Sequence, residues 1–373
     1  MVTEEALHSD LVDLVKKFVQ DEIVERAIVH DYDDSYPREI VEQLKELGFF
    51  GLTISEQYGG LELPKLSYIE IIEELAKGWA SVPGLLNSHL IVASLIEKYG
   101  TDAQKNTYLQ KMATGEVRGA ILLTEPNAGS DLKNIQTRLT ESGAGKFISG
   151  QKTMITNGRE AILHAVLTHT KNGLSIYLIT TDRKGVEIGG NMHKMGFKGV
   201  ETVEVFLEEV EVFDTDLLGI EGKGLSHFMS TLEFGRLSIA ASAIGVGQAA
   251  LDHAINYAKQ REAFGKPIAE MQAVQTHIGE MFTQLAAARA LTREAARLST
   301  SDDSDIYTSA AKYFGSEAAL YSAQTALRIF GGYGYFKEYP IERYIRDATM
   351  YLVGEGSNDM LKTSLARKLI ARS

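Results

Sequence analysis

The hydrophobic spacing of this chain changes twice, and the order of those changes limits its architecture. In the first third, Leu7, Leu11 and Leu14 recur at the spacing of one helical face. In the middle third, short apolar runs such as Leu174 to Thr180 are separated by Gly, Asn and Lys turns, as in β-strands. From about Gly224 the helical spacing returns and continues to the end. We therefore predict helices, then strands, then helices.

These changes of period divide the chain into three predicted domains. We expect a helical domain over residues 1–118, a β-domain over 119–215 and a helical bundle over 216–373. A chain of 373 residues is long enough for two or three domains of about 150 residues each. The predicted fold class is thus α+β and multidomain.

Composition excludes several classes of function. The chain has 38 basic and 50 acidic residues, and a net charge of -12 does not suit a nucleic-acid binder. It has no cysteine, which excludes disulfides, Cys-ligated metals and thiol nucleophiles. We expect no secretory signal in the acidic first ten residues and no membrane span, since no apolar run approaches roughly 20 residues. A cytoplasmic protein is the resulting expectation.

Two loops in the middle third carry candidate ligand contacts. The first, Leu123–Asp131, follows an apolar run and is rich in Gly, Pro and hydroxyl side chains, so its backbone could approach a polar ring. The second, Gly150–Gly158, contains Thr156, whose hydroxyl could reach a ring nitrogen. Taken alone, an ordinary surface turn and a strand residue before an Asn-Gly turn explain the two segments as well.

Two further segments lie in the last third. In Gln260–Ile268, we predict that a helix ends near Phe264–Gly265. Arg261 stands close to that end, and its planar guanidinium suits a pyrophosphate. The second segment, Arg328–Asp359, contains a glycine-rich stretch and Glu355 between two glycines. A carboxylate flanked by two residues without side chains could be desolvated by a bound acyl chain, which would strengthen it as a base. A solvated arginine and a loop acid at a helix N-terminus are the ordinary alternatives.

In combination these segments resemble the acyl-CoA dehydrogenase family over nearly the whole chain. The resemblance rests on five segments, at 123–131, 155–157, 260–267, 331–335 and 346–348. It implies an N-terminal helical domain, a middle β-barrel-like domain and a C-terminal four-helix bundle. It also implies FAD as the cofactor, no metal, and a homo-oligomer, usually a tetramer.

The resemblance assigns cofactor contacts to particular positions. Residues of the two middle loops would line the flavin ring, and residues of the last third would hold the dinucleotide, partly across a subunit interface. The positions implied for cofactor binding are Leu123, Thr124, Gly129, Ser130, Met154, Thr156, Arg261, Phe264, Gln272, Arg328, Gly331, Gly332, Ser357 and Asp359.

The resemblance also implies the reaction. Glu355 would remove the α-proton of an acyl thioester while the β-hydrogen leaves as hydride to the flavin, giving the trans-2-enoyl product. The substrate would be an acyl-CoA or an acyl-carrier-protein thioester, and an electron-transfer flavoprotein would accept the electrons. The positions implied for substrate contact are Ser130, Glu233, Arg236 and Gly356.

Several residues depart from the family pattern. Met154 stands where the family usually has Trp, Gly354 where it has Tyr, and Ser357 where it has Thr. The loss of the Tyr predicts a pocket widened for a bulky or branched acyl group. Some relatives carry the base immediately before the arginine that matches Arg236, but here that residue is Gly235. This leaves Glu355 as the candidate base.

Two other classes of function stay open at this point. One is a flavin-dependent oxidase or N-oxygenase acting on a nitro or amino substrate, which Met154 and Gly354 leave possible. Such proteins typically lack the glutamate base, so Glu355 argues against this class. The other is a non-catalytic binding or assembly subunit, which the retention of both cofactor positions and base disfavours.

Overall fold

The N-terminal part of the molecule is a helical layer. A computed structural model describes residues 4–143 and 145–372, with side chains from residue 9 onward, so the side chain of Leu7 lies outside the description. A short π-helical segment, Val19–Ile23, joins the first two helices. The helices are α1 (Glu4–Phe18), α2 (Val24–Asp33), α3 (Arg38–Glu46), α4 (Lys65–Gly78), α5 (Ser81–Tyr99) and α6 (Asp102–Ala113).

The middle part is an eight-stranded mixed sheet. Its order is β6-β7-β3-β2-β4-β5-β8, and β1 pairs with β4 in parallel. The strands are β1 (Gly119–Leu122), β2 (Arg138–Ser142), β3 (Gly145–Thr156), β4 (Leu163–Thr170), β5 (Gly173–Thr180), β6 (Val186–Asn191), β7 (Thr202–Val212) and β8 (Leu217–Leu218). Inward-facing Val and Ile side chains of β3, β4 and β7 form the core of this sheet.

One irregularity in this sheet matters for the site. The pairing of β3 with β7 shifts register between Lys152 and Ile155, which is a β-bulge. Met154 lies inside the bulge in a left-handed conformation with φ 56°. The bulge turns its side chain outward, where 57% of it is exposed.

The C-terminal part is built around one long buried helix. Helix α7 packs against α4 and α5 of the N-terminal layer and against α8, α9 and α10 of its own part. The helices are α7 (Gly224–Gln260), α8 (Gln272–Arg297), α9 (Ser304–Phe330), α10 (Ile341–Tyr351) and α11 (Asn358–Arg372). Helix α7 is long and apolar enough to cross a membrane by composition, but 94% of its most apolar window is buried in the fold. It is therefore a core helix.

The structure confirms the predicted order of helices, strands and helices, while the domain boundaries at 118 and 215 stay predictions. One element differs from expectation. Helix α7 ends at Gln260 and not near Phe264, because a two-residue hairpin, β9 (Glu262–Ala263) and β10 (Lys266–Pro267), follows it. Phe264 and Gly265 both have positive φ, as a tight hairpin turn of this kind requires.

We predict that Gly245→Ala destabilises the protein. A Cβ at Gly245 on α7 would lie 2.2 Å from the carbonyl oxygen of Glu73 and 2.8 Å from the Cβ of Ala76, both on α4. The two helices would have to separate, at a cost of about 1–3 kcal/mol. The apparent melting temperature measures the effect.

Gly279→Ala is the matched control, since Gly279 lies in α8 and nothing stands within 4 Å of its Cβ position. This change should leave the melting temperature equal or raise it, because alanine favours helix by about 0.5–1 kcal/mol. Equal melting temperatures for the two variants would contradict the close packing of α4 on α7.

Candidate active site

Glu355 lies in the short loop that joins α10 to α11. The loop is closed by backbone hydrogen bonds from Gly354 N to Met350 O (2.9 Å) and from Asn358 N to Leu352 O (2.9 Å). Glu355 itself is left-handed, with φ 53°, and Gly356 follows with φ 91°. A left-handed backbone costs a residue with a Cβ roughly 1–2 kcal/mol, and such strain is concentrated at functional sites.

The strained backbone directs the Glu355 carboxylate into the interior. Asn87 Nδ2, on α5, donates to Glu355 Oε1 at 3.1 Å. Glu355 Oε2 is enclosed and has no hydrogen-bond partner within the described part of the chain. Burial raises the pKa of Glu355, and the Arg236 charge, the Asn87 hydrogen bond and the Lys312 charge oppose that rise. The result is a partly unsatisfied carboxylate with an elevated pKa.

Gly235 leaves the space that this carboxylate occupies. A Cβ at Gly235 on α7 would lie 2.9 Å from Glu355 Oε2 and 2.8 Å from the Cδ1 of Ile91. A larger residue at 235 and the observed position of Glu355 are therefore mutually exclusive without rearrangement. Gly235 is therefore part of the enclosure around the Glu355 carboxylate.

The two predicted substrate contacts on α7 are paired with other residues of the chain. Arg236 is 6% exposed, and its Nη1 donates to Asp305 Oδ1 (2.5 Å) and Ser309 Oγ (3.2 Å) of α9. Glu233 Oε2 accepts from Ser304 Oγ at 2.7 Å. Arg236 lies close enough for its charge to act on Glu355, whereas Glu233 is directed to Ser304 at the start of α9.

The loop Leu123–Asp131 is held by a buried ion pair. Lys152 Nζ on β3 donates to Glu125 Oε1 at 2.8 Å and to the carbonyl of Leu123 at 3.1 Å. Glu125 also accepts from Thr137 N and Oγ1 at 3.1 and 2.5 Å, and from the backbone N–H of Gln136. Burial lowers the pKa of Lys152 to about 8. This network leaves Gly129 and Ser130 exposed at the surface of the loop.

The two middle motifs meet at this network. Thr153 N donates to Thr124 O at 2.9 Å, which joins β3 to the loop. Thr156 is half-buried at the end of β3, and Met154 is exposed in the bulge between them. Next, Asn157 Nδ2 donates to the carbonyl of Leu85 on α5 at 3.2 Å. The loop, Met154 and Thr156 therefore belong to one surface that is attached to the N-terminal helices.

The dinucleotide positions form a second group around an open cavity. The cavity has a volume of about 490 Å³ and is lined by Arg261, Gly331, Gly332, Tyr333 and Phe336 among others. The Arg261 guanidinium carbon lies 5.7 Å from the centre of the Tyr333 ring. A guanidinium, aromatic rings and a glycine backbone that a ligand can approach closely fit a nucleotide with a pyrophosphate.

The remaining predicted cofactor residues lie close along the chain to this group or to Glu355, and all but the half-buried Ser357 are exposed. Phe264, at the hairpin tip, is 96% exposed. Gln272 is the first residue of α8, and Arg328 is exposed in the last turn of α9. After Glu355, Ser357 Oγ accepts from Met360 N at 3.4 Å and Asp359 is exposed.

A neighbouring side chain fills the space that the predicted widening of the acyl pocket at Gly354 would leave. A Cβ at Gly354 would lie 2.7 Å from Met350 Sδ, so the methionine thioether occupies the space beside this glycine. Methionine is flexible, and its side chain can move when a ligand binds. A widened acyl pocket stays a prediction.

Asn87 and Lys312 both hold the loop of Glu355, and neither was predicted as a site residue from the sequence. Asn87 is 268 positions from Glu355, and Lys312 lies 43 positions before it. The one signal in the sequence was a lysine within an otherwise apolar and small-residue stretch of α9, where a buried charge needs partners.

Comparison with known proteins gives the family. Residues 5–116, 120–210 and 222–370 match the models of the acyl-CoA dehydrogenase N-terminal, middle and C-terminal domains. An acyl-CoA dehydrogenase of Bacillus subtilis is 35% identical over 96% of each chain. The caffeyl-CoA reductase-Etf complex subunit CarC of Acetobacterium woodii is 35% identical over 96% of this chain and 97% of its own.

Solved structures agree with membership of the acyl-CoA dehydrogenase family. The butyryl-CoA dehydrogenase of Megasphaera elsdenii superimposes with a TM-score of 0.95 at 33% identity over 99% of each chain. A glutaryl-CoA dehydrogenase of Mycobacterium smegmatis in complex with FADH2 has a TM-score of 0.92 at 26% identity, over 97% of this chain and 94% of its own. The predicted family, its three-part fold and its FAD cofactor are confirmed. The chain belongs to the acyl-CoA dehydrogenase family and is an FAD-dependent oxidoreductase.

Proposed function

We propose that this protein oxidises an acyl-CoA thioester to the trans-2-enoyl-CoA, with Glu355 as the base. One observation carries the proposal. Glu355 Oε2 is enclosed, has no hydrogen-bond partner in the described chain and faces Gly235 on the core helix. A buried carboxylate oxygen left unsatisfied is costly, and such groups persist where chemistry uses them.

The base would act through Oε2. That oxygen takes the proton from the α-carbon, the Cα–H electron pair forms the new double bond, and the β-hydrogen leaves with its electron pair. Bound FAD supplies the acceptor for that hydride. Asn87 keeps Oε1 engaged at 3.1 Å, which orients the carboxylate so that Oε2 is the free acceptor.

Binding of FAD would use the two groups described above. Leu123, Thr124, Gly129, Ser130, Met154 and Thr156 would surround the flavin, and Ser357 and Asp359 would lie beside it. Arg261, Phe264, Gln272, Arg328, Gly331 and Gly332 would hold the dinucleotide. Open space beside Gly129, Gly331 and Gly332, where nothing lies within 4 Å of a Cβ position, supports close approach of the backbone to the cofactor.

The thioester substrate and the electron-accepting partner would bind at residues already described. Glu233, Arg236, Ser130 and Gly356 would contact the thioester and its carrier. An electron-transfer flavoprotein would take the electrons; the name of the Acetobacterium woodii relative, a reductase-Etf complex subunit, supports a partner of that class. Exposed Met154 would lie at the surface where that partner docks.

The exposed Phe264 hairpin supports a homo-oligomer, for which we propose a tetramer in the cytoplasm.

We predict that Glu355→Gln binds FAD but reacts with acyl-CoA about 10²–10⁴-fold more slowly, because glutamine keeps the shape and cannot take a proton. Bleaching of the flavin absorbance in anaerobic stopped flow measures the rate. Glu209→Gln is the matched control. Glu209 shares the left-handed backbone, with φ 49°, but is exposed on β7 of the sheet.

The outcomes separate the classes of function. Rapid bleaching of the native protein and of the Glu209 variant, with slow bleaching of the Glu355 variant, supports the proposal. Equal bleaching of both variants would show that Glu355 is not the base. A flavin that persists with every acyl-CoA favours an oxidase or N-oxygenase, and purification without flavin favours a non-catalytic subunit.

The raised pKa of Glu355 predicts an activity loss in mild acid. The base must be deprotonated, so kcat/KM should fall as pH drops through the elevated pKa, above the ordinary value of 4.5. The profile of kcat/KM against pH, with flavin content checked at each pH, measures this. An acid limb at or below pH 4.5 would contradict burial as the cause.

We predict that Lys152→Met weakens both stability and FAD retention. The change leaves Glu125 buried without its cation, which costs about 3–5 kcal/mol, and frees the carbonyl of Leu123. Urea unfolding and equilibrium dialysis of FAD measure the two effects. Lys146→Met on the same strand removes only solvent-screened pairs with Asp214 and Glu141, so it should change neither stability nor FAD retention measurably. Similar losses in both variants would contradict a special role for the buried pair.

A further inference from the structure

Helix α9 places a buried lysine against the loop of the proposed base. Lys312 is fully buried in the first third of α9. Its Nζ donates to the carbonyl of Gly356 at 2.6 Å and to Asn358 Oδ1 at 3.0 Å. Gly356 is the residue directly after Glu355, so the lysine holds the backbone that carries the carboxylate.

A second set of contacts holds the same loop one turn further along α9. Asn358 Nδ2 donates to Ser316 Oγ at 2.9 Å and to Glu317 Oε1 at 3.1 Å. Asn358 opens α11, so the far end of the loop is anchored to α9 as well. Lys312 is the one residue of this set that contacts both Gly356 and Asn358 in the described structure.

This tether acts beside a strained residue. Glu355 is left-handed at φ 53°, whereas Gly356, at φ 91°, tolerates a positive φ because it has no Cβ. A conformation of that kind persists only when the surrounding structure holds it. Without the donors of Lys312, the loop would lose the side-chain hydrogen bond to the Gly356 carbonyl, next to the strained residue. The carboxylate would then sample other directions, and misplacement by about 1 Å can cost on the order of 100-fold in rate.

The lysine also contributes charge. The charges that act on Glu355 come from Arg236 on α7 and Lys312 on α9, while the Tyr68 hydroxyl on α4 also faces it. Arg236 is already paired with Asp305. Glu317 on α9 is the remaining charge that acts on Lys312. Burial lowers the pKa of Lys312 to about 8, which leaves it cationic at neutral pH.

We propose that Lys312 is a positioning residue that holds the loop of Glu355 in its strained conformation and favours the carboxylate with its charge. The proposal rests on the proposed role of Glu355 as base. An apolar side chain of similar length would avoid the desolvation of a buried ammonium. The lysine is therefore better explained by what it holds than by the stability of α9.

Lys312→Met tests the proposal, because methionine keeps the bulk and removes both donors and charge. We expect hydrogen–deuterium exchange to quicken in residues 352–358 and not across the chain. We also expect kcat to fall about 100-fold with little change in KM, and the acid limb of kcat/KM to move to higher pH. Lys111→Met, an exposed lysine of α6 paired with Glu116, should leave all three unchanged.

Lys312→Gln is the second variant, since it keeps an N–H donor in the buried site without the charge. If the methionine variant does not fold, an upward-shifted acid limb in the glutamine variant supports the proposal. Native loop exchange, native kcat and a native acid limb in the folded variants would overturn it, as would faster exchange spread evenly over the chain.

The two proposals fail in different ways. If the native protein is not bleached by any acyl-CoA, the proposed function is wrong, yet the exchange of residues 352–358 still decides whether Lys312 holds the loop. If the native protein is bleached and Lys312→Met is bleached equally fast, the proposed function stands and the positioning role does not.

Discussion

Close packing of α7 is the constraint on which the other elements depend. This helix is buried over most of its length and touches α4, α5, α8, α9 and α10. Contact at this distance requires small residues, and Gly245 leaves no room for a Cβ beside the α4 carbonyl of Glu73. Because α4 and α5 belong to the N-terminal layer and α9 to the C-terminal one, α7 sets the distance between the elements that surround Glu355.

That placement imposes an electrostatic cost on the site. Glu355 is desolvated, and the two cations that favour its charge, Arg236 and Lys312, are themselves buried and lose hydration. Each has another partner, Asp305 for the arginine and the Gly356 carbonyl for the lysine. Neither cation forms an ion pair with Glu355 among the described contacts. Glu355 thus keeps an elevated pKa while the surrounding charges are held in place.

Local pattern predicted the order of helices and strands, because those signals lie within a few residues of each other. Glu355 became the candidate base only through the family resemblance, and its hydrogen-bond and charge partners could not be predicted from local sequence. Asn87 comes from α5 and Lys312 from α9, and neither has a local motif that shows where its side chain points. Helix α7 also ends earlier than predicted, because the strand residues that lead into the hairpin turn at Phe264–Gly265 follow it directly.

Gly235 connects the fold to the chemistry. A Cβ there would meet both Ile91 and Glu355 Oε2, so a base on α7 and a base in the α10–α11 loop would compete for the same space. With glycine at 235, the proposed base comes from a loop instead of a rigid helix. A loop alone does not fix the direction of a side chain. Contacts from α5 and α9 then have to supply the rigidity that α7 would have given. The position of the proposed base and the need for Asn87 and Lys312 therefore have a common origin.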